Sequence, residues 1–249
     1  MSGRQTKFQQ NAKSAGKMIR ILSYNLHGGI GRDGVRDYAR LTDFFEKIGA
    51  DIVMLQEVET RPSKKGTPED FQTLCGNYPH AKTATTEVEE YGWYGNVILS
   101  RFPLDSVKIT DLAVVGREPR NLMDAQIATP QGPLRVMNTH LGLLASERRT
   151  QGQHVLDALE TIKKDHHVPL VLAGDINEWR SWTPLLSKLK HALTYKKCGA
   201  TWPSFCPFMH LDRVWCDPPE LIHSIHALRT EETRVYSDHL PVLAEIETL

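Results

Sequence analysis

Short apolar runs separated by polar and glycine-rich turns make up the hydrophobic pattern of this chain. Such runs, bounded by turn signals, are typical of β-strands that are buried in a sheet. The run DIVMLQ at residues 51–56 has no polar alternation, which predicts a strand covered on both faces. We predict further strands at residues 18–25, 96–99, 122–128, 134–139, 169–173, 213–216, 221–228 and 240–246.

Two segments instead have the spacing of amphipathic helices. In residues 37–48 apolar side chains recur every three or four positions, and in residues 146–164 Val155 and Leu159 share a face. We expect a loop at residues 60–70, where Pro, Lys, Gly and Thr cluster. Because the predicted strands outnumber the helices and often follow one another directly, we predict an α/β fold of two mixed sheets packed together, with helices outside.

The length and ends of the chain limit its organisation. Its 249 residues fit one hydrophobic core, so we predict a single domain over residues 18–249. Residues 1–17 are polar and basic, which predicts a disordered tail rather than a secretory signal. No stretch approaches the roughly 20 apolar residues of a membrane span. The four cysteines form no C-x-x-C pair or zinc spacing, so we expect free thiols in a reducing compartment. We take a cytoplasmic location as the default, and we expect a monomer.

The charge of the chain is balanced, with 30 basic and 30 acidic residues. A neutral chain has no global field that would concentrate a polyanion on its surface. This argues against a protein that wraps nucleic acid through many phosphate contacts, but it leaves room for a local basic cleft.

Polar side chains recur at the points where apolar strands begin or end. Catalysis at an anionic phosphoester needs a hard cation, a base for the attacking water and donors for the developing charge. Mg²⁺ prefers carboxylate and carbonyl oxygens, and histidines can transfer protons or stabilise charge. The residue types at the strand ends therefore predict phosphoryl chemistry. They are Asn25, Glu57, Asn138, His140, Asp175, Asn177, Asp212, Asp238 and His239.

Seven sequence strings, in order along the chain, resemble the motifs of the endonuclease/exonuclease/phosphatase family. They are LSYNLHGG, DIVMLQEVE, GNVILSRFP, NTHLGL, LAGDINEW, LDRVW and SDHLPV, and they span residues 21–242. The family includes DNase-type nucleases, apurinic-site endonucleases, bacterial sphingomyelinases and inositol-phosphate phosphatases. The chain is most similar to a compact bacterial group that shares HLGL, GD-x-N-x-WR and a Phe-Pro segment before LDR.

The resemblance implies a DNase-like, four-layer α/β/β/α sandwich and a Mg²⁺ or Mn²⁺ cofactor. From the residue types, Glu57 is the first candidate metal ligand, with Asn25 and Asp238 as further candidates. The resemblance likewise implies that Glu57 is the principal metal ligand, with Asn25 nearby. It also implies that Asp238 either binds a second ion or holds His239.

The resemblance also implies roles around the scissile phosphate. Asp175 resembles the acid that orients or deprotonates the attacking water. Asn177 resembles the residue that positions Asp175 and the phosphate. His239 resembles the histidine at the phosphate, paired with Asp212, and His140 resembles the second phosphate-binding histidine. Elementary physics supports the Asp212–His239 pair, because a carboxylate that accepts from one ring nitrogen fixes the tautomer and raises the histidine pKa. Whether Asp175 or His239 is the base stays open.

Several further residues are candidates for substrate contacts. A family arginine is expected before the strand at 122–128, and we choose Arg120 first and Arg117 second. His27, two residues after Asn25, and the tryptophans Trp179 and Trp202 could touch the substrate or could simply be loop and packing residues.

The sequence thus predicts a metal-dependent phosphoester hydrolase and leaves its substrate open. We expect a phosphodiesterase that acts on nucleic acid, as an endonuclease or exonuclease. The alternatives are a phospholipid-headgroup phosphodiesterase, a small-molecule phosphatase, and a scaffold protein that keeps the fold without the chemistry.

Overall fold

The structure is a computed structural model, and it describes residues 18–165 and 168–247. Two six-stranded mixed β-sheets form its centre. From edge to edge, the first sheet contains β11 (Ile222–Ala227), β12 (Val242–Ile246), β1 (Ile19–Asn25), β2 (Ile52–Glu59), β4 (Gly92–Ser100) and β3 (His80–Glu89). The second contains β5 (Leu104–Asp111), β6 (Asn121–Thr129), β7 (Gly132–His140), β8 (Leu170–Asp175), β10 (Asp212–Asp217) and β9 (Thr194–Tyr195).

Helices cover the outer faces of the two sheets. The α-helices are α1 (Tyr38–Lys47), α2 (Pro68–Cys75), α3 (Ala145–Asp165), α4 (Pro184–Ala192) and α5 (Thr233–Tyr236). Short 3-10 turns occupy His27–Gly29, Pro62–Lys64 and Pro219–Leu221. Side chains of α1 and α2 pack on the first sheet, and side chains of α3 and α4 pack on the second. A third apolar cluster fills the space between the sheets. The predicted α/β/β/α sandwich is confirmed.

Strand β2 shows how an uninterrupted apolar run becomes a central strand. Its Ile52 and Met54 lie in the core between the sheets, while Val53 and Leu55 lie in the core beneath α1. Because successive side chains point to opposite faces, a strand with apolar neighbours on both sides needs no polar alternation. The other predicted strands and both predicted helices are present, with bounds shifted by a few residues.

The prediction of a loop over residues 60–70 is wrong at its C-terminal end. A 3-10 turn begins at Pro62, and α2 begins at Pro68. The Asp70 carboxylate accepts from the backbone N–H of Thr67 at 2.9 Å, so Thr-Pro-Glu-Asp acts as a capping signal rather than as loop sequence. The same Thr-Pro pair starts α4, where Thr183 Oγ1 accepts from the Leu186 N–H at 3.3 Å.

The sequence patterns also missed the edge strands β3 and β5. Much of each strand is exposed, and polar or charged residues occupy many of its positions. Edge strands commonly carry charged side chains, which hides them from a search for apolar runs.

The described residues test the remaining expectations only in part. The disordered tail predicted for residues 1–17 falls outside the described residues. Within the described ranges, no helix is long and apolar enough to cross a membrane. The four cysteines are free thiols, as expected.

A polar contact crosses the apolar space between the sheets close to the ends of β2 and β7. Asn138 is fully buried, and its Oδ1 accepts from Gln56 Nε2 at 2.7 Å. Its Nδ2 donates to the backbone oxygens of Leu55 and Val97, at 2.9 and 3.0 Å. Asn138 thereby ties the second sheet to the bulged region where β2 pairs with β4. Buried polar groups that are satisfied in this way favour one alignment of the two sheets.

We expect Asn138→Ala to lower the free energy of unfolding by about 2–4 kcal/mol, because it leaves buried backbone oxygens without donors and opens a small cavity. Urea unfolding followed by circular dichroism measures the change. The matched control is Asn77→Ala at an exposed position, for which we expect a change within about 0.5 kcal/mol. Equal stabilities of the two variants would contradict the role given to Asn138.

Candidate active site

The candidate residues meet at one end of the sandwich. Strands β1 and β2 run parallel, as do β7 and β8, so the carboxyl ends of each pair lie at the same edge. A cleft of about 490 Å³ opens there. Nine residues singled out from the sequence line it: Glu57, Arg120, His140, Asp175, Asn177, Trp179, Trp202, Asp238 and His239.

Asn25 joins the two sheets at the floor of this cleft. Its Nδ2 donates to Glu57 Oε1 at 2.8 Å and to Asp175 Oδ2 at 3.0 Å. Its Oδ1 accepts from the backbone N–H of His27 at 3.0 Å, which fixes the orientation of the amide. The side chain of Asn25 therefore turns its nitrogen, not its oxygen, toward the carboxylates. In this arrangement it holds the carboxylates in place, whereas the sequence suggested it as a metal ligand.

Backbone strain is concentrated at the same place. Four non-glycine residues among those described have positive φ, and three belong to the site: His27 at 49°, Glu57 at 55° and Asn177 at 52°. For side chains other than glycine this conformation is costly and persists only where surrounding contacts enforce it. At Glu57 it coincides with the shift in register between β2 and β4, which turns the carboxylate out of the strand and into the cleft.

His239 lies between two buried carboxylates. Its Nδ1–H donates to Asp212 Oδ2 at 2.8 Å, and its Nε2 lies 3.6 Å from Asp175 Oδ2. Burial alone would lower the pKa of His239, but Asp212 and Asp175 favour the charged ring and raise the pKa to about 10. The predicted pairing of His239 with Asp212 is therefore present as geometry, and the ring is cationic near neutral pH.

Asp175 is wholly enclosed at the end of β8. Burial raises the pKa of its carboxyl group above the ordinary value. The neighbouring His239 cation, the Asn177 backbone N–H at 2.9 Å and the Asn25 amide all favour the ionised form and limit the rise. A carboxylate in this balance can accept a proton more readily than an exposed one.

His140 faces the same carboxylates but carries no charge. Its Nδ1 lies 3.2 Å from Arg120 Nη1, and because a guanidinium only donates, this ring nitrogen must accept. Burial, followed by the charge of Arg120, holds the pKa of His140 well below its usual range. Its Nε2 lies 3.0 Å from Asn177 Nδ2, which also donates to the Leu141 backbone oxygen at 2.8 Å. The same Nε2 lies 3.8 Å from Glu57 Oε1 and 3.6 Å from Asp175 Oδ2. His140 is therefore a neutral ring held between Arg120 and Asn177, beside the two carboxylates.

The cleft also contains residues that the sequence patterns missed. Glu118 forms a two-pronged ion pair with Arg120, with distances of 3.0 and 2.9 Å. Leu143 and Met209 line the walls. Tyr94 lies beside Arg120 and Glu57, and burial raises the pKa of its hydroxyl group. The signal for Glu118 was its place two residues before Arg120.

Asp238 and His27 form the outer side of the cleft. Trp202 Nε1 donates to Asp238 Oδ2 at 3.2 Å. His27 Nδ1 lies 3.7 Å from Asp238 Oδ1 and 3.9 Å from Glu57 Oε2. Trp202 thus orients a carboxylate as well as lining the cleft. Arg117, by contrast, is exposed and does not line the cleft, so Arg120 is the arginine that reaches it.

The donor set at the floor of the cleft suits a hard divalent cation. Ligand atoms of Glu57, His140 and Asp175 lie within 4.8 Å of one another, and the same holds for Asp175, Asp212 and His239. Two further carboxylate oxygens, Glu57 Oε2 and Asp238 Oδ1, both lie within 4 Å of His27 Nδ1. Carboxylate oxygens beside solvent-accessible space are the ligands that Mg²⁺ and Mn²⁺ prefer.

Comparison with known proteins accounts for this arrangement. The sequence model described as the Endonuclease/Exonuclease/phosphatase family matches residues 22–239. The chain belongs to this family. Members of the family are hydrolases that act on phosphoesters and depend on divalent metals. The family resemblance read from the sequence motifs is confirmed.

One curated relative has nearly the same length. The chain is 27% identical to the uncharacterized protein YbhP of Escherichia coli over 92% of this chain and 96% of that protein. The similarity to compact bacterial members of the family therefore extends over almost the whole chain.

Solved structures of the family share the fold. One is an endonuclease/exonuclease/phosphatase from Beutenbergia cavernae, with a TM-score of 0.77 and 24% identity over 93% of this chain and 72% of that one. A mannosyl-6-phosphatase from Bacteroides thetaiotaomicron has a TM-score of 0.72 at 16% identity over 92% of this chain and 99% of that one. D. rerio TDP2, in complex with a single-strand DNA product, has a TM-score of 0.67 at 18% identity over 93% of this chain and 100% of that one.

We expect Asp212→Asn to lower the pKa of His239 by about 1–3 units, because it removes the nearer of two charges that favour the imidazolium. NMR titration of histidine-labelled protein measures this pKa, with His239→Asn used for assignment. Asp105→Asn, at an exposed position, is the control and should leave the His239 pKa unchanged. An unaltered pKa in Asp212→Asn would show that this carboxylate does not set the charge of the ring.

Proposed function

We propose that this protein is a Mg²⁺- or Mn²⁺-dependent phosphodiesterase that hydrolyses nucleic acid by in-line attack of water. The convergence of Glu57, His140, Asp175 and His239 from both sheets on one cleft is the observation that carries the proposal. A scaffold protein would have no need to hold three strained residues and a charged histidine in this arrangement.

Glu57 and Asp238 are the proposed ligands of the ion, with Asn25 holding Glu57 in place. A bound Mg²⁺ or Mn²⁺ supplies polarisation of a phosphoryl oxygen. The raised pKa of the Glu57 carboxyl, caused first by its burial, fits a group whose charge is to be offset by a cation.

Asp175 is the proposed base for the attacking water. The water oxygen forms the new bond to phosphorus, one water proton passes to Asp175 Oδ2, and the ester oxygen departs. His239 is protonated near neutral pH and is therefore suited to donate to the phosphate rather than to take the water proton. This difference in charge supports Asp175 as the base, which the sequence left open.

His140 and Arg120 act on the phosphate from the other side. His140 is a neutral ring that lies between Arg120 at Nδ1 and Asn177 at Nε2, beside Glu57 and Asp175. Donors placed in advance stabilise the charge that develops on the phosphoryl oxygens. Asn177 positions Asp175 through its backbone N–H at 2.9 Å.

The fold by itself does not choose the substrate. Of the three solved structures described above, one is a mannosyl-6-phosphatase and another is a protein in complex with a single-strand DNA product. Nucleic acid is the proposed substrate here because the rim of the cleft offers the exposed ring of Trp179, which suits an unpaired base. Phospholipid headgroups and phosphorylated metabolites are the alternative substrates, and the substrate panel described below distinguishes them from nucleic acid. The remaining proposals are a monomeric state and a cytoplasmic location.

We expect hydrolysis of bis-p-nitrophenyl phosphate to need Mg²⁺ or Mn²⁺ and to stop with EDTA. Asp175→Asn and His239→Asn should each lower kcat by about 10²–10⁴, the range for groups that transfer protons or stabilise charge. Asp105→Asn, far from the cleft, should retain full activity.

A panel of plasmid DNA, single-stranded DNA, RNA, sphingomyelin and phosphorylated sugars then compares kcat/KM between substrate classes. Turnover that survives EDTA, or near-native kcat in folded Asp175→Asn, would overturn the mechanism. Faster turnover of sphingomyelin or a sugar phosphate would overturn the substrate.

A further inference from the structure

A second pocket lies on the other side of Trp179 from the catalytic cleft. It has a volume of about 230 Å³, and Trp179 belongs to the walls of both cavities. Four basic side chains contribute to its lining: Lys190, Lys197, His210 and Arg213. None of the described residues that line it is acidic. The overall neutral chain thus has a local concentration of positive charge next to its candidate active site.

Arg213 gives this pocket a buried and incompletely satisfied cation. The residue is only 3% exposed, and its Nε has no hydrogen-bond partner. Its Nη2 donates to the backbone oxygens of Glu178 at 2.7 Å and Arg180 at 3.3 Å, which are neutral acceptors. Burial lowers the pKa of Arg213, which reflects the cost of keeping this charge away from water. The Tyr195 side chain and the Glu178 carboxylate favour the charged form, so this cation is held in the pocket wall. A bound anion would add to that stabilisation.

The two lysines complete the cationic wall. The Lys190 ammonium lies 5.4 Å from the centre of the Tyr195 ring, and the Arg213 guanidinium lies 5.8 Å from the same centre. Tyr195 therefore contacts two of the cationic groups in the pocket wall. Lys190 and Lys197 are exposed, so both ammonium groups are free to turn toward a bound anion. The small volume and the number of donors fit one phosphate group.

Trp179 connects the pocket with the cleft. It is 56% exposed, and the Arg180 guanidinium lies 5.5 Å from its ring centre. An exposed indole that lines both the cleft and this pocket is suited to stack an unpaired base, because every base offers an aromatic face. A duplex would hide those faces.

We propose that this pocket binds a second phosphate of a single-stranded nucleic acid whose neighbouring linkage is hydrolysed in the cleft, with an unpaired base against Trp179. The proposal rests on the proposed function, since it names the substrate class of that same site. It assigns Lys190, Lys197 and Arg213 to substrate binding, outside the catalytic residues.

The test compares three substrates that differ in flanking phosphates and bases. Thymidine 5′-p-nitrophenyl phosphate has one phosphodiester. Hexathymidylate has at least one further phosphate next to every scissile linkage, and an abasic hexamer has the same phosphates without bases. The variant Lys190→Gln/Lys197→Gln removes two exposed cations from the pocket. The matched control Lys82→Gln/Lys108→Gln removes two exposed lysines that line neither cavity.

We expect the pocket variant to raise KM for hexathymidylate about tenfold or more, which corresponds to the removal of one charged hydrogen bond. The same variant should leave kcat/KM for thymidine 5′-p-nitrophenyl phosphate unchanged, and the control should match the unmodified protein on both. The salt dependence of hexathymidylate binding should also become shallower, by about 0.7 in the log–log slope for each phosphate that the variant no longer neutralises. Trp179→Ala should raise the KM for hexathymidylate and leave the KM for the abasic hexamer unchanged.

Each opposite result would reject a different part of the proposal. No metal-dependent turnover of any of the three substrates rejects the proposed function itself. Turnover with an unchanged KM for hexathymidylate in the pocket variant rejects the phosphate pocket alone. Equal kcat/KM for the abasic hexamer and hexathymidylate rejects the stacked base, and faster hydrolysis of phospholipid vesicles than of hexathymidylate rejects nucleic acid as the substrate.

Discussion

The amide of Asn25 is the contact on which the geometry of the site depends. It donates to Glu57 on one sheet and to Asp175 on the other, and the backbone of His27 fixes its orientation. Two buried carboxylates from different sheets would repel each other without donors between them. Asn25 lets them share one cleft floor, so the alignment of the sheets and the alignment of the candidate catalytic groups become the same constraint.

The rest of the cleft follows from that alignment. Asp212, on β10, reaches His239, which precedes β12 of the other sheet, so this charge pair also joins the two sheets at the cleft. Two histidines in one cavity thereby take opposite charge states. His239 is kept cationic by carboxylates, and His140 is kept neutral by burial and by Arg120. A phosphate would meet a cationic ring at His239 and a neutral ring at His140.

Outside the cleft, charge is local rather than global. The chain carries equal numbers of acidic and basic residues, yet the pocket beyond Trp179 is lined by basic side chains around the buried Arg213. Such a pocket recognises one phosphate at a defined position instead of attracting a polyanion to a whole surface. This separates the part of the site that fixes the reaction from the part that would select the substrate.

The layered fold and most residues of the cleft could be predicted from the amino-acid sequence. Strand β2 is an uninterrupted apolar run because both its faces are buried, and polar residues such as Glu57 and Asp175 stand out where such runs end. Tertiary structure alone decided the direction of the Asn25 amide, the charge of each histidine, the pairing of Glu118 with Arg120 and the grouping of Lys197 with Arg213. These features depend on contacts between residues distant in the chain, on burial and on neighbouring charge, and a local sequence pattern carries none of them.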